Sequence, residues 1–415
     1  MPSNFQLGKV LQTLRYRDFG IFVAGNCVSL IGTWTQRVAT GWLTWEFTQS
    51  AAWLGAMAFA DLIPAVLIGP LAGVAADRWD RLSIMKGAQI LGTAIGALLA
   101  VLYFLALVDV WVLLAITLAL GIVDAFIQPF RLAFVSTLVP RADLTAAVAI
   151  RSTTFNLARF VGPAVAGIVI ATSGVGLAFI INALSFLVLL GALMVLKAEP
   201  AIRLPADRKV TVLGDAIEGA RFAFTTGGVS TVLTLLAVSC LMARPVIELL
   251  PGWAGEIFGG SSSDLAMLTS SIGFGALFGG IWLSGRPDPA GLFRIFLVGC
   301  FGSAVSLLAF SASQSALVAV PLLVVTGFFL ITSAISAQTL VQINVEDTLR
   351  GRVLSVYATI FRGGPAIGAL LMGFAGDLVG MRWPMIAGAV VLLAATTLVY
   401  RRHDALRPLL EDNLK

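Results

Sequence analysis

Histidine is almost missing from this chain: one in 415 residues, at position 403, close to the C-terminus. Any proton chemistry in the interior therefore falls to carboxylates. Cysteine is nearly as scarce, and Cys27, Cys240 and Cys300 all lie inside apolar runs, where they read as small core hydrophobes. Charge is the third scarcity. Only 12% of residues are charged against 58% hydrophobic, too little polar surface to cover a water-soluble globule of this length. These absences exclude whole classes. There is no His/Cys metal cluster, no phosphate-binding G-x-x-x-x-G-K-[ST], and no polar stretch long enough for a catalytic domain, so a membrane-embedded enzyme or signalling receptor is disfavoured. No cofactor or metal is expected, and work done by the protein must draw on an ion gradient or on a substrate's own gradient.

What the chain does contain is apolar length. About twelve runs of roughly 20 residues, each able to cross a hydrocarbon core of ~30 Å, are centred near residues 33, 64, 96, 122, 160, 184, 239, 273, 301, 329, 361 and 390. Strand alternation is absent, and runs this long in lipid must satisfy their backbone internally, so the expected fold is an all-α membrane protein of twelve transmembrane helices. Lysine and arginine occupy both termini and alternate loops: Arg15 and Arg17, then Arg78, Arg81 and Lys86, then Arg141, Lys197 to Arg221, Arg286 and Arg294, Arg350 and Arg352, and Arg401 onward. The intervening loops carry no base except Arg382. By the positive-inside rule both termini are cytoplasmic, in a multi-pass membrane protein with an even number of spans. The net charge of +5 is thus explained by topology and does not argue for nucleic acid as a partner. The basic N-terminus precedes a run too long for a signal peptide and lacking a small-residue cleavage site, so it opens the first span.

The longest polar stretch, KAEPAIRLPADRKVTVLGDAIEGARFAF from Lys197, divides the chain. It predicts a six-helix bundle over 1–196, a cytoplasmic linker over 197–226 with an interfacial amphipathic helix around Val212, Ile217, Ala220, Phe222 and Phe224, a second bundle over 227–400, and a cytoplasmic tail over 401–415. An internal repeat agrees with this. TLV at 137–139 recurs at 339–341, and Gly162-Pro163 recurs in the same register as Gly364-Pro365. Two repeats joined by a cytoplasmic linker suit a transporter that rocks its halves around a central site.

The loop after the second span reads GPLAGVAADRWDRLSIMK. With Gly73, Asp77, Arg78 and Arg81 in register, it resembles the G-x-x-x-D-R-x-G-R-R signature of the major facilitator superfamily, departing at Asp80 and Leu82. GTWTQRVATGWL in span 1, LVPRADLTAAVAIRSTTFNLARFVGPAVAG across spans 4 and 5, and GDAIEGARF in the linker are similar to the branch that contains the enterobactin exporter and the macrolide efflux proteins. The resemblance implies that Asp77 caps the start of span 11 near Arg352, latching the cytoplasmic side in the outward-facing state. It also likens Gly162, Pro163 and Gly167 to the antiporter motif of span 5, although that motif has paired glycines after the proline. A packing role for these residues, as for Gly364 and Pro365, is the alternative.

Ionisable residues within apolar spans are costly and functional by default. Here they are Arg37, Asp61, Asp124, Arg159, Arg244 and Arg362. Thr117, Gly121, Asp124, Gln128 and Arg131 share one helical face. So do Asn26, Ser29, Thr33, Gln36 or Arg37, and Thr40 in span 1, and Ser152, Asn156, Arg159 and Pro163 in span 5. Three polar stripes predict one wet cavity, lined by Asn26, Thr33, Gln36, Arg37, Gln128, Arg131, Asn156, Arg159 and Arg244. At 1.5 Å per residue Arg37 and Asp61 both lie about 15 Å below the outer surface, and Asp124 and Arg159 about 20 Å, so the expected pairings are Arg37 with Asp61 and Asp124 with Arg159. No equivalent buried aspartate is expected in the second half, where span 10 offers only Thr332, Ser333, Ser336 and Gln338. Asp124 and Asp61 are the candidate proton carriers, since separating such an acid from its arginine lets it take up a proton. The expected function is export of an amphipathic small molecule by proton antiport, from a monomer in the lipid bilayer. A proton-coupled or facilitative importer and a lipid or lysolipid flippase are the alternatives.

Overall fold

The computed structural model of the protein describes residues 12–196, 218, 221–286 and 290–411, which are helical with no strand among them. Most of the expected linker helix, including Val212, Ile217 and Ala220, lies outside these residues. The long helices are α1 (Arg17–Thr48), α2 (Ala51–Arg78), α3 (Arg81–Phe104), α4 (Val110–Leu138), α5 (Leu144–Ser173) and α6 (Val175–Val195). After the linker come α7 (Gly227–Met242), the short α8 (Val246–Gly252), α9 (Ser262–Ser284), α10 (Leu292–Ala312), α11 (Ala316–Ile343), α12 (Asp347–Val379), α13 (Arg382–Tyr400) and α14 (His403–Glu411). Among the described residues eleven helical stretches are long and apolar enough to cross a membrane, with α7 and α8 counted as one. Helix α1 is not among them, because its polar face interrupts the apolar run, yet at 32 residues it matches the others in length.

The turns at which the chain reverses are encoded by side chains that satisfy free helix N–H groups. Ser50 accepts from the Trp53 N–H at 3.3 Å, Asp80 from Ser83 at 2.9 Å and Asp109 from Val112 at 2.7 Å, while Ser261 and Asp264 form a capping box. Asp80 projects from the polar end of the molecule, and its hydrogen bonds to Ser83 hold its carboxyl below the usual range.

Helices α1 to α6 pack on one another, as do α7 to α13, and the two groups meet along two seams, α2 against α12 and α5 against α9. Small residues let the backbones close up within each group. A Cβ on Gly162 would strike Trp34 of α1, and one on Gly364 would strike Cys240 of α7, so the repeated Gly-Pro pairs occupy equivalent contacts in the two groups.

The seams are closed at one end only. At the end poor in bases, Gly373 of α12 abuts the Ala51 carbonyl and Gly55 abuts that of Ala369, while Gly167 of α5 abuts Ala266. There Asp377, near the C-terminus of α12, accepts from the backbone N–H of Ala51 at 2.6 Å and of Ala52 at 3.3 Å, and from the Ser50 hydroxyl. It caps the first turn of α2 from across the seam. At the opposite, basic end, Gly69, Gly73, Gly280 and Gly351 have nothing within 4 Å of an added Cβ. No close backbone contact is made at these four positions.

Candidate functional site

The charges within the spans gather in one layer between the groups. Arg37 of α1 places Nη2 at 2.7 Å from Asp61 Oδ2 of α2 and at 3.1 Å from Glu248 Oε1 of α8. One guanidinium thus serves two carboxylates, one from each helix group. Asp124 of α4 lies 3.5 Å from Arg131 Nη1 on its own helix and 3.8 Å from Arg362 Nη1 on α12, and Gln128 donates to both its oxygens at 3.1 and 3.3 Å. Two ion pairs therefore cross between the groups in opposite senses: base to acid from Arg37 to Glu248, acid to base from Asp124 to Arg362.

Beside this network lies a cavity of about 180 Å³ bounded by α1, α2, α3, α4, α6, α8 and α12. Thr33, Gln36, Arg37, Asp61, Asp124, Arg131, Glu248 and Arg362 all face it, with Leu54, Met57, Ile127 and Phe186 as its apolar wall. Gln36 accepts from Asn182 at 2.5 Å, whereas the buried Gln89 carbonyl oxygen and Arg131 Nε have no hydrogen-bond partner.

Other residues expected to line the cavity lie elsewhere. Asn26 and Asn156 are buried, the latter donating back to the Ser152 carbonyl at 2.9 Å, and Gln128 reaches the site only through Asp124. Arg159 does not pair with Asp124. Consecutive helices α4 and α5 touch little here: α4 packs on α2 and α3, whereas α5 packs on α1 and α9, with the Arg159 backbone against Gly273. The Arg159 side chain instead lies over the Trp34 ring, 5.7 Å from its centroid. Arg244, in the break between α7 and α8, lies over Phe361 at 4.0 Å.

Glu248 brings an acid to this layer from the second half, where the sequence offers no equivalent buried aspartate. It sits in PVIELLPGW, a lone charge in an apolar run between Pro245 and Pro251, and that isolation is the signal that identifies it. Of the gate residues, Asp77 and Arg78 are exposed, and among the described residues neither forms an ion pair or hydrogen bond. Arg81 turns inward and donates to the carbonyls of Ala76 and Ala133 at 3.1 and 3.0 Å, a cation on the C-terminal turns of α2 and α4. Arg352 pairs with Glu218 at 2.6 Å.

A half-buried charged layer between two helix groups that close on each other at one end is the geometry of a carrier. The profile of the transmembrane secretion effector family matches residues 10–412. The chain belongs to this family of major facilitator transporters. Relatives include the staphyloferrin A transporter of Staphylococcus aureus, 23% identical over 94% of this chain and 98% of that one. Macrolide efflux protein A of Streptococcus pyogenes is 25% identical over 90% and 93%, and the enterobactin exporter EntS of Shigella flexneri 27% over 81% and 77%. Among solved structures, a bacterial homologue of the human lysosomal transporter Spinster, in an inward-facing and unoccupied conformation, superposes with a TM-score of 0.68 at 17% identity over 97% of this chain and 99% of that one. The fold is shared with it. The protein is a multi-pass bacterial membrane transporter of the major facilitator type.

Proposed function

We propose that the protein exports an amphipathic small molecule in exchange for protons by alternating access. The observation that carries this reading is Arg37 held by Asp61 and Glu248 from opposite helix groups. In this reading α1 is a twelfth span, residues 1–196 and 227–400 are the rocking halves, the linker, the tail and both termini are cytoplasmic, and the protein works as a monomer. The basic end is then cytoplasmic, and the arrangement described above is open to the cytoplasm.

The chemistry follows from charge balance. With the basic end open, Asp61, Asp124 and Glu248 are each held by arginine, two of those contacts crossing between halves. Opening the other end pulls Glu248 from Arg37 and Asp124 from Arg362. A carboxylate that loses its arginine in a poorly solvated site gains affinity for a proton. Protons are therefore taken up from outside and expelled inside when the pairs re-form. Asp77, free here, closes onto the start of α12 when the basic end shuts. The deciding experiment is accumulation of a dye or macrolide into everted vesicles with and without an imposed pH gradient. Accumulation that does not depend on the gradient would reject proton coupling.

A second reading, a lipid or lysolipid flippase, is favoured by one feature. An apolar groove of about 700 Å³ runs along the α5–α9 seam between Phe160, Ile168, Met267 and Phe274, facing the bilayer. A lysolipid scrambling assay in proteoliposomes separates the two readings.

A further inference from the structure

Within the charged layer five arginines, Arg37, Arg131, Arg159, Arg244 and Arg362, stand against three carboxylates, Asp61, Asp124 and Glu248. Every carboxylate is already engaged by Arg37, Arg131 or Arg362. Nothing anionic is left for Arg159 and Arg244, and among the described residues neither side chain forms an ion pair or hydrogen bond. Each lies instead on an aromatic face, Arg159 over Trp34 and Arg244 over Phe361. A π-face stabilises a cation without occupying its N–H groups, so the donors of both guanidiniums stay available. Arg244 Nε is buried and unpartnered. The two cations also face each other's field: the charged neighbours of Arg159 are Arg244, Arg37 and, opposing them, Glu248. Two unpaired like charges in a partly buried setting are costly unless a third charge joins them.

We infer that Arg159 and Arg244 form an anion-binding site for the transported molecule, which carries a carboxylate or phosphate oxyanion on an aromatic or apolar body. Guanidinium forks match the two oxygens of such a group. The body has surfaces to meet: Phe155, 41% exposed and set edge-on to Trp34 at 6.1 Å, and Phe361, stacked on Tyr357 at 5.6 Å. Arg159 belongs to α5 and Arg244 to the α7–α8 break, so a bound oxyanion joins the two helix groups. This inference rests on the transporter reading and narrows its substrate class.

The test uses the purified full-length protein in detergent at constant ionic strength, with naphthalene-2-carboxylate, its methyl ester and short-chain phosphatidic acid as probes, measured by calorimetry and thermal shift. Either oxyanion binds and raises Tm, and the ester binds at least tenfold more weakly. The stronger of the two acids tells whether the site suits a soluble carboxylate or a lipid phosphate. Arg159→Gln and Arg244→Gln each weaken binding of the acid at least tenfold. Without ligand neither variant melts below the wild type, since no acid loses a partner and one repelling charge is gone; Arg286→Gln, at the basic surface, leaves binding unchanged. Equal binding of ester and acid, no shift with either oxyanion, or wild-type affinity in both glutamine variants overturns the site. Because no membrane or gradient is present, failure of the exporter reading in vesicles leaves this result standing, and loss of the site leaves export of an uncharged substrate intact.

Discussion

Arg37 and Glu248 meet at 3.1 Å although 211 positions separate them and they belong to opposite helix groups. Their contact ties the relation of the two groups to a single guanidinium, which also holds Asp61 at 2.7 Å. Removing one partner of such a network leaves a charge uncompensated in a medium that solvates it poorly. Arg37→Met should therefore cost about 3–5 kcal/mol of stability, and Arg37→Met combined with Asp61→Leu less than the sum of the two single losses. Thermal unfolding of the four proteins in detergent measures this; additive losses would show that the pair is not coupled.

On the proposed exchange mechanism Asp124 couples protons to movement, because one of its two arginines, Arg362, lies across the seam. Asp124→Asn keeps the shape and cannot ionise. Exchange of substrate down its own gradient should persist in proteoliposomes, while accumulation driven by a pH gradient falls at least tenfold. Asp61→Asn should show the milder defect. Full proton-driven accumulation by Asp124→Asn would reduce Asp124 to a structural partner.

Asp377 and Asp77 should act in opposite directions. Losing a helix cap costs about 1 kcal/mol, roughly a fivefold change in an equilibrium between two states. Asp377 caps α2 in the arrangement described here, so Asp377→Ala should shift the population about fivefold toward opening of the base-poor end. Asp77 has no partner in this arrangement, and Asp77→Ala should favour it. Spin-label distances between the basic ends of α2 and α12 report both shifts. Movement of both variants in the same direction would contradict the assignment.

The Asp80 cap of α3 gives a pH dependence free of the transport chemistry. Its carboxyl is held below the usual range by Ser83, so its contribution is present above the unfolded aspartate value of about 3.9 and is lost as pH falls through the lower folded value. At pH 7 Asp80→Ala should lose about 1 kcal/mol. The gap to wild type should close in acid, as read from melting curves between pH 7 and 3.

Hydropathy locates the spans, because each helix must carry its own apolar length whatever its neighbours do, and only α1, with its polar face, escapes that signal in the folded chain. Counting residues down two consecutive helices also brings Arg37 to the depth of Asp61, since a tight turn at Gln49 and Ser50 fixes their relative height. The same count fails for Asp124 and Arg159. It gives depth but not which way α5 turns, and α5 turns toward α9. Glu248, Arg362 and Asp377 matter because the groups face each other, a relation set by packing between segments far apart in sequence. Periodicity within one helix carries no trace of it.

Helices α2 and α12 run antiparallel, and each ends in the same pattern, Gly73-x-x-x-Asp77 and Gly373-x-x-x-Asp377. Asp377 clasps the first turn of α2, and in the proposed cycle Asp77 clasps that of α12 when the basic end shuts; a pair of rods hinged between two such clasps cannot fasten both at once. The clasps therefore add little to the stability of the fold; their difference sets the balance of the seesaw, and their sum sets how hard it is to tip. Removing both acids should leave the resting occupancy near that of the wild type while speeding the exchange between states.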